Sequence, residues 1–164
     1  MEKKDCFPHW LTGFTDGEGC FSISFNKRSK LKFNIEVRPS FSISQSGRRN
    51  SFDSKINILT EIQAYFQCGF IRTYKADGMC KYEVRNISDL HRYIIPHFEK
   101  YPLLTIKNED FENFKTIINF MRANLHLNEK GLISIIDIAF VMNPSGKWKV
   151  NKQELYKLLK YKES

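Results

Sequence analysis

Hydrophobic and polar residues alternate along two stretches near the start of the chain. The first stretch places three apolar residues between three polar ones, namely Phe21, Ile23 and Phe25 against Ser22, Ser24 and Asn26. The second follows a basic turn at residues 26–30, and its apolar side carries Leu31, Phe33, Ile35, Val37, Phe41 and Ile43. Because successive side chains of a strand point to opposite faces, the pattern predicts a long β-hairpin with one apolar and one polar face.

The periodicity of the remaining sequence predicts one more hairpin and several helices. The second hairpin is expected at Phe70–Lys75 and Met79–Arg85, with its turn at residues 76–78. Helices are expected at 8–16, 51–66, from a Ser88 cap to about 97, 107–124, from an Asn128 cap to 141, and 152–160, with a break at 143–146. This order predicts an α+β fold of the form αββαββα, with an antiparallel sheet and extra C-terminal helices.

Composition narrows the class of protein. A length of 164 residues indicates one domain spanning residues 1–164. The 26 Lys and Arg residues exceed the 18 Asp and Glu residues, and a net charge of +8 favours a polyanionic partner. No apolar run is long enough to span a bilayer and no signal core begins the chain, so we expect neither a membrane partner nor secretion. The cysteines and histidines lack zinc-binding or disulfide spacings.

The polar face of the predicted sheet is a candidate nucleic-acid surface. Lysine and arginine can neutralise phosphates, whereas short amides, hydroxyls and guanidinium groups can read base edges in a major groove, which admits a two-stranded ribbon. An ordinary solvated sheet face is the alternative explanation. The candidate DNA-contacting residues are Ser22, Ser24, Asn26, Arg28, Lys30, Lys32, Asn34, Arg38, Ser40, Ser42, Arg72, Tyr74, Lys81, Glu83 and Arg85.

The most informative stretch is Leu-Thr-Gly-Phe-Thr-Asp-Gly-Glu-Gly at residues 11–19. Gly13 and Gly17 are four residues apart on a predicted helix, so they remove side chains along one stripe and let another backbone approach. An ordinary helix with solvated acids at its end is the alternative explanation. With the hairpin that follows, the stretch resembles the signature of the LAGLIDADG homing endonucleases, in their single-motif form.

The resemblance implies how the motif would work. Two motif helices would pack at a two-fold axis, which makes the protein a homodimer with an interface formed by Trp10, Gly13, Phe14 and Gly17. Glu18 would be the catalytic carboxylate that binds Mg²⁺, together with the backbone carbonyl of Gly17. Asp16 would have a structural role at the helix end. The family usually has Asp at the catalytic position, but Glu also binds Mg²⁺.

Three further residues match positions of the family's active site. Gln45 ends the second strand, and Arg49 follows it by four residues, with Arg48 as a competing candidate. Lys107 precedes a long predicted helix. The resemblance implies that these residues stabilise charge or order water near the scissile phosphate. Gln45 could instead be a strand-end surface residue, and Lys107 an ordinary helix N-terminal lysine.

The implied activity is Mg²⁺-dependent cleavage of both strands of a long pseudo-palindromic DNA target across its minor groove, leaving short 3′ overhangs. Residues 131–137 come nearest to a second motif copy but lack the paired acids, so one chain supplies half of such a site. The alternatives are an intron maturase that binds intron RNA and a non-cleaving DNA-binding relative. The resemblance implies an organelle, mitochondrion or chloroplast, and the abundance of Lys, Ile, Asn and Phe fits an AT-rich gene.

Overall fold

The helices and strands follow the predicted order αββαββα, with more helices after it. The computed structural model describes residues 3–45, 52–74, 76, 78–142 and 150–160. The first elements are α1 (Lys3–Glu18), β1 (Gly19–Lys27), β2 (Ile35–Gln45), α2 (Phe52–Phe66), β3 (Phe70–Thr73) and β4 (Cys80–Val84). Then come α3 (Ile87–Asp89), a π-helical turn (Leu90–Ile94), α4 (Ile95–Lys100), α5 (Lys107–Arg122), a 3₁₀ turn (Leu125–Leu127), α6 (Glu129–Val141) and α7 (Lys152–Lys160).

The four strands form one sheet in the order β1-β2-β4-β3, which confirms the predicted α+β class. β2 and β3 both pair antiparallel with β4, and Gln45 and Thr73 each lie opposite Cys80. The second hairpin turns where the sequence predicted, since the Tyr74 amide donates to the Met79 carbonyl at 2.8 Å. The turn residues Lys75 and Asp77 lie outside the described part of the chain.

The first hairpin differs from the prediction at its turn. β2 begins at Ile35 instead of Leu31, because the chain reverses through a loop in which the Arg28 amide donates to the Asn34 carbonyl at 2.8 Å. Asn34 has a φ of 55°, a left-handed conformation that an asparagine tolerates. Leu31 is therefore 37% exposed, and the candidate contacts Lys30, Lys32 and Asn34 belong to this loop and not to a strand face.

Two helix starts also differ from the sequence interpretation. Asn86, and not Ser88, caps α3, because its side-chain oxygen accepts hydrogen bonds from the Ser88 and Asp89 amides at 2.8 and 3.2 Å. α1 begins at Lys3 and contains Pro8 as its sixth residue, where the missing N–H removes one hydrogen bond of the helix. The predicted Asn128 cap of α6 is confirmed by its bond to the Gly131 amide at 2.8 Å. The predicted helix start at Ser51 and the break at 143–146 lie outside the described residues.

The chain divides into two compact units, and each buries its own apolar side chains. The first comprises residues 1–21 and 40–108, and its core includes Leu11, Phe21, Phe41, Leu59, Tyr82 and Phe98. The second comprises residues 22–39 and 109–164, and its core includes Phe25, Phe111, Phe114, Ile135 and Leu155. In the described part of the chain, no helix combines the length and the apolar character that crossing a bilayer requires.

Candidate active site and nucleic-acid interface

The motif helix α1 has one buried and one exposed side. Leu11 and Thr15 are completely buried. On the other side Trp10 is 41% exposed, and a Cβ atom built on Gly13 or Gly17 would meet no atom within 4 Å. The four predicted interface residues thus lie along this side, with the half-buried Phe14 ring stacked on Trp10 at a centroid distance of 4.8 Å. We call this side, formed by Trp10, Gly13, Phe14 and Gly17, the open side of α1, because no other part of the described chain lies close to its two glycines.

The buried side of α1 is joined to α2 and α4 by a chain of hydrogen bonds. The Thr12 hydroxyl donates to the Tyr101 carbonyl at 3.1 Å, so its oxygen must accept from Nε2 of His97 at 3.2 Å. Nδ1 of His97 then accepts from the Tyr65 hydroxyl at 2.9 Å. This order requires a neutral imidazole with its proton on Nε2. Burial, with a smaller contribution from the charge of His9, lowers the pKa of His97 to about 4.

The step from α1 to β1 depends on Gly19. A Cβ atom at this position would lie 2.4 Å from Cγ2 of Thr15 and 2.8 Å from the Thr15 carbonyl oxygen, so no larger residue fits without movement. Glycine therefore lets β1 start directly behind the last turn of the helix. Glu18, the preceding residue, is left exposed at the corner.

Residues 104–107 are fastened to the C-terminal end of α1. The Lys107 ammonium donates to the Thr15 and Asp16 carbonyls at 2.9 Å each. The last carbonyls of a helix lack partners within the helix and carry partial negative charge, so a cation is favoured there. The Asp16 carboxylate accepts from the Leu104 amide at 3.0 Å and from the Thr105 hydroxyl at 2.7 Å. Four hydrogen bonds thus join residues 104–107 to the last turn of α1, which ends at Glu18.

Gln45, the last residue of β2, lies at the end of the sheet where β1 begins. β1 starts directly after Glu18 and β2 ends at Gln45, and the two strands are hairpin neighbours, so the start of one and the end of the other meet at one edge. The Gln45 amide is half-buried and donates to the Ser44 carbonyl at 3.2 Å. Three predicted active-site residues therefore lie around the end of α1. Arg49 and its competitor Arg48 lie outside the described residues.

The polar face of β2, β4 and β3 is basic around one buried acid. Arg72 and Arg85 are exposed, and their guanidinium groups lie 4.8 and 5.9 Å from the Phe70 ring centroid. Two predicted contacts do not present a free polar group, because Ser42 and Glu83 lie opposite each other on β2 and β4 and are only 4% and 3% exposed. The expectation that these two side chains are exposed on the polar face is therefore wrong.

Glu83 is compensated by its neighbours. Its carboxylate accepts from the Ser40 hydroxyl at 2.9 Å and from the Lys81 ammonium at 3.2 Å, and forms an ion pair with Arg85 at 2.8 Å. Burial by itself raises the pKa of this carboxyl, but the hydrogen bond from Ser40 and the two cations outweigh burial, so the pKa lies below its ordinary value. Glu83 is therefore ionised at neutral pH.

A second polar cluster lies on the hairpin within the other unit. Asn26, Lys27, Arg28, Glu36 and Arg38 line an open depression of about 500 Å³. Glu36 accepts a hydrogen bond from Arg28 at 2.5 Å. Lys27 pairs with Glu154 of α7. Of the predicted contacts in this cluster, Arg28 and Arg38 are exposed, as are Ser24 and the loop lysines Lys30 and Lys32.

Comparison with known proteins decides the family. Residues 11–118, which include the motif helix, the sheet and Lys107, match the family model described as LAGLIDADG endonuclease. The chain belongs to this family. The predicted relationship is therefore confirmed over most of the described fold.

Relatives of the LAGLIDADG family resemble this chain in sequence and structure. A Neurospora crassa protein named probable intron-encoded endonuclease 2 is 34% identical over 133 residues, which cover 79% of this chain and 28% of that protein. The crystal structure of the homing endonuclease I-TnaI superposes with a TM-score of 0.77 at 34% identity, covering 94% of this chain and 96% of that one. I-LtrWI, a LAGLIDADG homing endonuclease bound to target DNA, gives 0.76 at 35% identity, covering 83% and 44%.

The length of the match differs among these relatives. This chain spans about a quarter of the length of the curated relatives that it matches first, at 28%, 26% and 24%. It matches the I-TnaI chain almost throughout.

The oxygen atoms at the end of α1 fit a hard divalent cation such as Mg²⁺. Glu18 is an exposed carboxylate, whereas the Asp16 carboxylate is occupied by the Leu104 amide and the Thr105 hydroxyl. No group of three His, Cys, Asp or Glu residues that could hold a metal occurs among the residues described. Mg²⁺ keeps several of its waters and is often held by one or two carboxylates, so the exposed Glu18 carboxylate is compatible with its binding.

The sequence interpretation gave Asp16 a structural role but missed its partners and the hydrogen bond between Thr12 and His97. His97 lies in a helical segment with apolar neighbours, and its partner Thr12 precedes it by 85 positions. The clamp from Asp16 to Leu104 and Thr105 joins residues 88 and 89 positions apart. The polar residue Thr12 on the apolar side of the motif helix was the local signal that a buried partner exists.

Proposed function

We propose that this chain is a site-specific homing endonuclease that cuts both strands of a long pseudo-palindromic DNA target with the help of Mg²⁺. The observation that carries the proposal lies at the end of α1: the Lys107 ammonium is held by the Thr15 and Asp16 carbonyls, in the same last turn that ends with the exposed Glu18 carboxylate. A protein that only bound DNA would need no carboxylate near phosphates. Family membership supports the same activity.

We propose that the active protein is a homodimer. One motif supplies half of a double-strand-cleaving site, and the side of α1 bearing Gly13 and Gly17 is open to another backbone. The match also covers almost all of the I-TnaI chain but 44% of the I-LtrWI chain, so a unit of this size occurs both as a whole chain and as less than half of one. A two-fold symmetric protein is complementary to a target with matching symmetry, which explains the pseudo-palindrome.

The residues at the helix end would have different roles in phosphodiester hydrolysis. Glu18, with the backbone carbonyl of Gly17, would hold Mg²⁺, which when bound lowers the pKa of a coordinated water and offsets phosphate charge. Lys107 uses two of its three N–H groups on the Thr15 and Asp16 carbonyls, which leaves one for a phosphate oxygen or a water. Gln45 orders water at the sheet edge, and Arg49 stabilises charge. We place the cuts across the minor groove, with short 3′ overhangs.

The exposed cations of the sheet supply affinity for DNA. Arg38, Arg72 and Arg85 are exposed on the strands or directly after them, and Arg28, Lys30 and Lys32 on the loop of the first hairpin. Charge neutralisation of phosphates provides a sequence-independent attraction, while guanidinium groups facing a groove discriminate between bases. We further propose that the chain is encoded in an intron and acts in an organelle, because the Neurospora relative is named as intron-encoded.

The test of this function is a cleavage experiment with the wild-type chain, Glu18→Gln and the control Glu61→Gln, which changes an exposed glutamate on α2. Each protein is incubated with Mg²⁺ and a DNA library enriched in pseudo-palindromes, and the cut ends are sequenced. We expect paired cuts with short 3′ overhangs from the wild type and from Glu61→Gln. Glu18→Gln should lose about 100-fold or more of the cleavage rate, because the carboxylate proposed to hold Mg²⁺ is replaced by a neutral amide.

Measuring DNA affinity beside the cleavage rate distinguishes a nuclease from a protein that only binds nucleic acid. Glu18→Gln should bind the selected target within about threefold of the wild type, since charge neutralisation by the sheet is unchanged. Normal cleavage by Glu18→Gln would place the catalytic carboxylate elsewhere. Specific binding by the wild type without cuts would indicate a non-cleaving relative, and preference for intron RNA over DNA would indicate a maturase.

A further inference from the structure

Glu83 is an acidic side chain in the middle of a basic surface, and water reaches almost none of it. Its Oε1 atom accepts hydrogen bonds from the Ser40 hydroxyl at 2.9 Å and the Lys81 ammonium at 3.2 Å, and its Oε2 atom forms an ion pair with the Arg85 guanidinium at 2.8 Å, without the geometry of a hydrogen bond. A buried carboxylate persists only where such partners surround it. Because the carboxylate is covered by these partners, it is not itself available to a DNA base.

The two cations above Glu83 are held at one end and open at the other. The side chain of Arg85 is 41% exposed and that of Lys81 is 24% exposed. An arginine has five N–H donors and a lysine three, so a bond to Glu83 leaves donors on each for another partner. With Arg72, which lies over the same Phe70 ring as Arg85, the cluster has three cations and one anion and keeps a net positive charge.

We propose that Glu83 is a positioning residue for DNA sequence recognition, which holds Lys81 and Arg85 in the orientation in which they read base edges. This inference rests on the proposed function. A long cationic side chain without an anchor can reach the nearest phosphate of any sequence, and such contacts carry no sequence information. An anchored guanidinium has less freedom to lose on binding and offers its donors in one direction. Glu83 therefore lowers the attraction to DNA in general and raises the preference for one sequence.

The test compares Glu83→Gln with Glu112→Gln, which removes the same charge from an exposed glutamate on α5 whose side chain is 53% exposed and paired with Lys115. The target that the wild type selects is varied one base pair at a time, and affinity is measured at several salt concentrations. In Glu83→Gln we expect discrimination at one or two base pairs per half-site to fall about tenfold. Affinity for unrelated DNA should rise about twofold and its salt dependence should steepen. Glu112→Gln should leave discrimination unchanged.

A double-mutant cycle with Arg85→Ala separates positioning from direct contact. If Glu83 acts through Arg85, adding Glu83→Gln to Arg85→Ala should cause little further loss of discrimination at the same base pairs. Fully additive losses would make Glu83 an independent contact and overturn the inference, as would unchanged discrimination in Glu83→Gln. A wild-type chain that prefers no sequence would instead contradict the proposed function.

Ser40→Ala covers the case in which Glu83→Gln does not fold, as judged by thermal unfolding. This variant removes one hydrogen bond to the carboxylate and leaves every charge on the sheet in place. We expect a loss of about threefold in discrimination at the same base pairs, with affinity for unrelated DNA unchanged. Equal weakening on all sequences would show that the cluster serves only the fold, and would overturn the inference.

Discussion

The two sides of α1 differ in what surrounds them. On the buried side, Thr12 forms hydrogen bonds with both His97 and the Tyr101 carbonyl. Directly after the helix, a methyl group added to Gly19 would collide with Thr15. On the other side, a methyl group on Gly13 would meet nothing within 4 Å. The fold of one chain thus explains the residues of the buried side but not the glycines of the open side.

The motif helix therefore meets two separate requirements: its buried side serves the folding of one chain, and its open side serves assembly of the proposed dimer. Residues on the buried side should affect the free energy of unfolding of a single chain. Residues on the open side should affect assembly and cleavage while leaving that free energy almost unchanged. Substitutions on each side therefore test whether the two requirements are independent.

The largest effect is expected from Gly13→Val on the open side. In a dimer joined through this stripe, the added side chain would cost about 1–3 kcal/mol in each copy, and two-fold symmetry counts it twice. Cleavage should fall by about 100-fold or more and sedimentation should show monomers. The unfolding free energy of the chain should change by less than about 1 kcal/mol, because valine is a better helix former than glycine.

Ala64→Val, at an exposed position of α2, is the matched control and should retain both dimer and cleavage. An intact dimer of Gly13→Val in sedimentation would remove this stripe from the interface. Loss of folding in the isolated chain would show that the open side is needed by the monomer, and the separation of the two sides would be wrong.

A smaller effect, on the buried side, is a dependence of stability on pH. The pKa of His97 is about 4 in the folded chain and about 6.5 in the unfolded chain. Between pH 6.5 and 4 the unfolded chain therefore binds more protons than the folded chain, and lowering the pH favours unfolding. The stabilising contribution of neutral His97 is fully present above about pH 7 and falls as the pH decreases toward 4. The loss should reach about 3 kcal/mol, measured by denaturant unfolding across this range.

Variants identify the group responsible. His97→Gln keeps a donor and an acceptor but cannot titrate, so the fall between pH 7 and 4 should become shallower by most of that amount. His9→Gln, which removes the exposed neighbour, should keep most of the fall. A pH dependence that is the same in His97→Gln and the wild type would show that other groups cause it.

Local patterns predicted the elements because they depend on neighbours in sequence. The alternation around Phe21 and Phe41 follows from the period of a strand, and the Asn128 cap from the amides that begin a helix. The position of Leu31 was wrong because the same alternation continued into the residues that the turn required. Where a turn and a strand compete for the same residues, periodicity alone does not set the boundary.

The site could be predicted only as far as single residues match a motif. Glu18 and Lys107 were assigned in this way, but nothing local indicates that Asp16 binds Thr105, since the two are 89 positions apart. Glu83 was assigned to the exposed face from alternation, which gives the face of a side chain and not the length of the side chains that cover it. Burial of a polar residue is a property of its neighbours in space.

The smallest expected effect compares two threonines on the buried side of α1. The Thr15 hydroxyl oxygen is buried and forms no hydrogen bond, and an unsatisfied buried hydroxyl costs about 1–3 kcal/mol. Thr15→Val keeps the shape of the side chain and leaves the Thr15 carbonyl available to Lys107, so we expect stabilisation by about 1 kcal/mol. Thr12→Val removes a hydroxyl that both donates and accepts, and should destabilise by about 1–2 kcal/mol.

The same chemical change, three residues apart on one helix, should therefore have opposite signs in thermal unfolding. Thr15→Val should raise the midpoint by about 2–4 °C and should cut the same targets as the wild type, since its effect is confined to the core of one chain. Destabilisation of Thr15→Val equal to that of Thr12→Val would mean that the Thr15 hydroxyl has a partner. The buried side would then be hydrogen-bonded at both threonines, and its contrast with the open glycine stripe would be sharper.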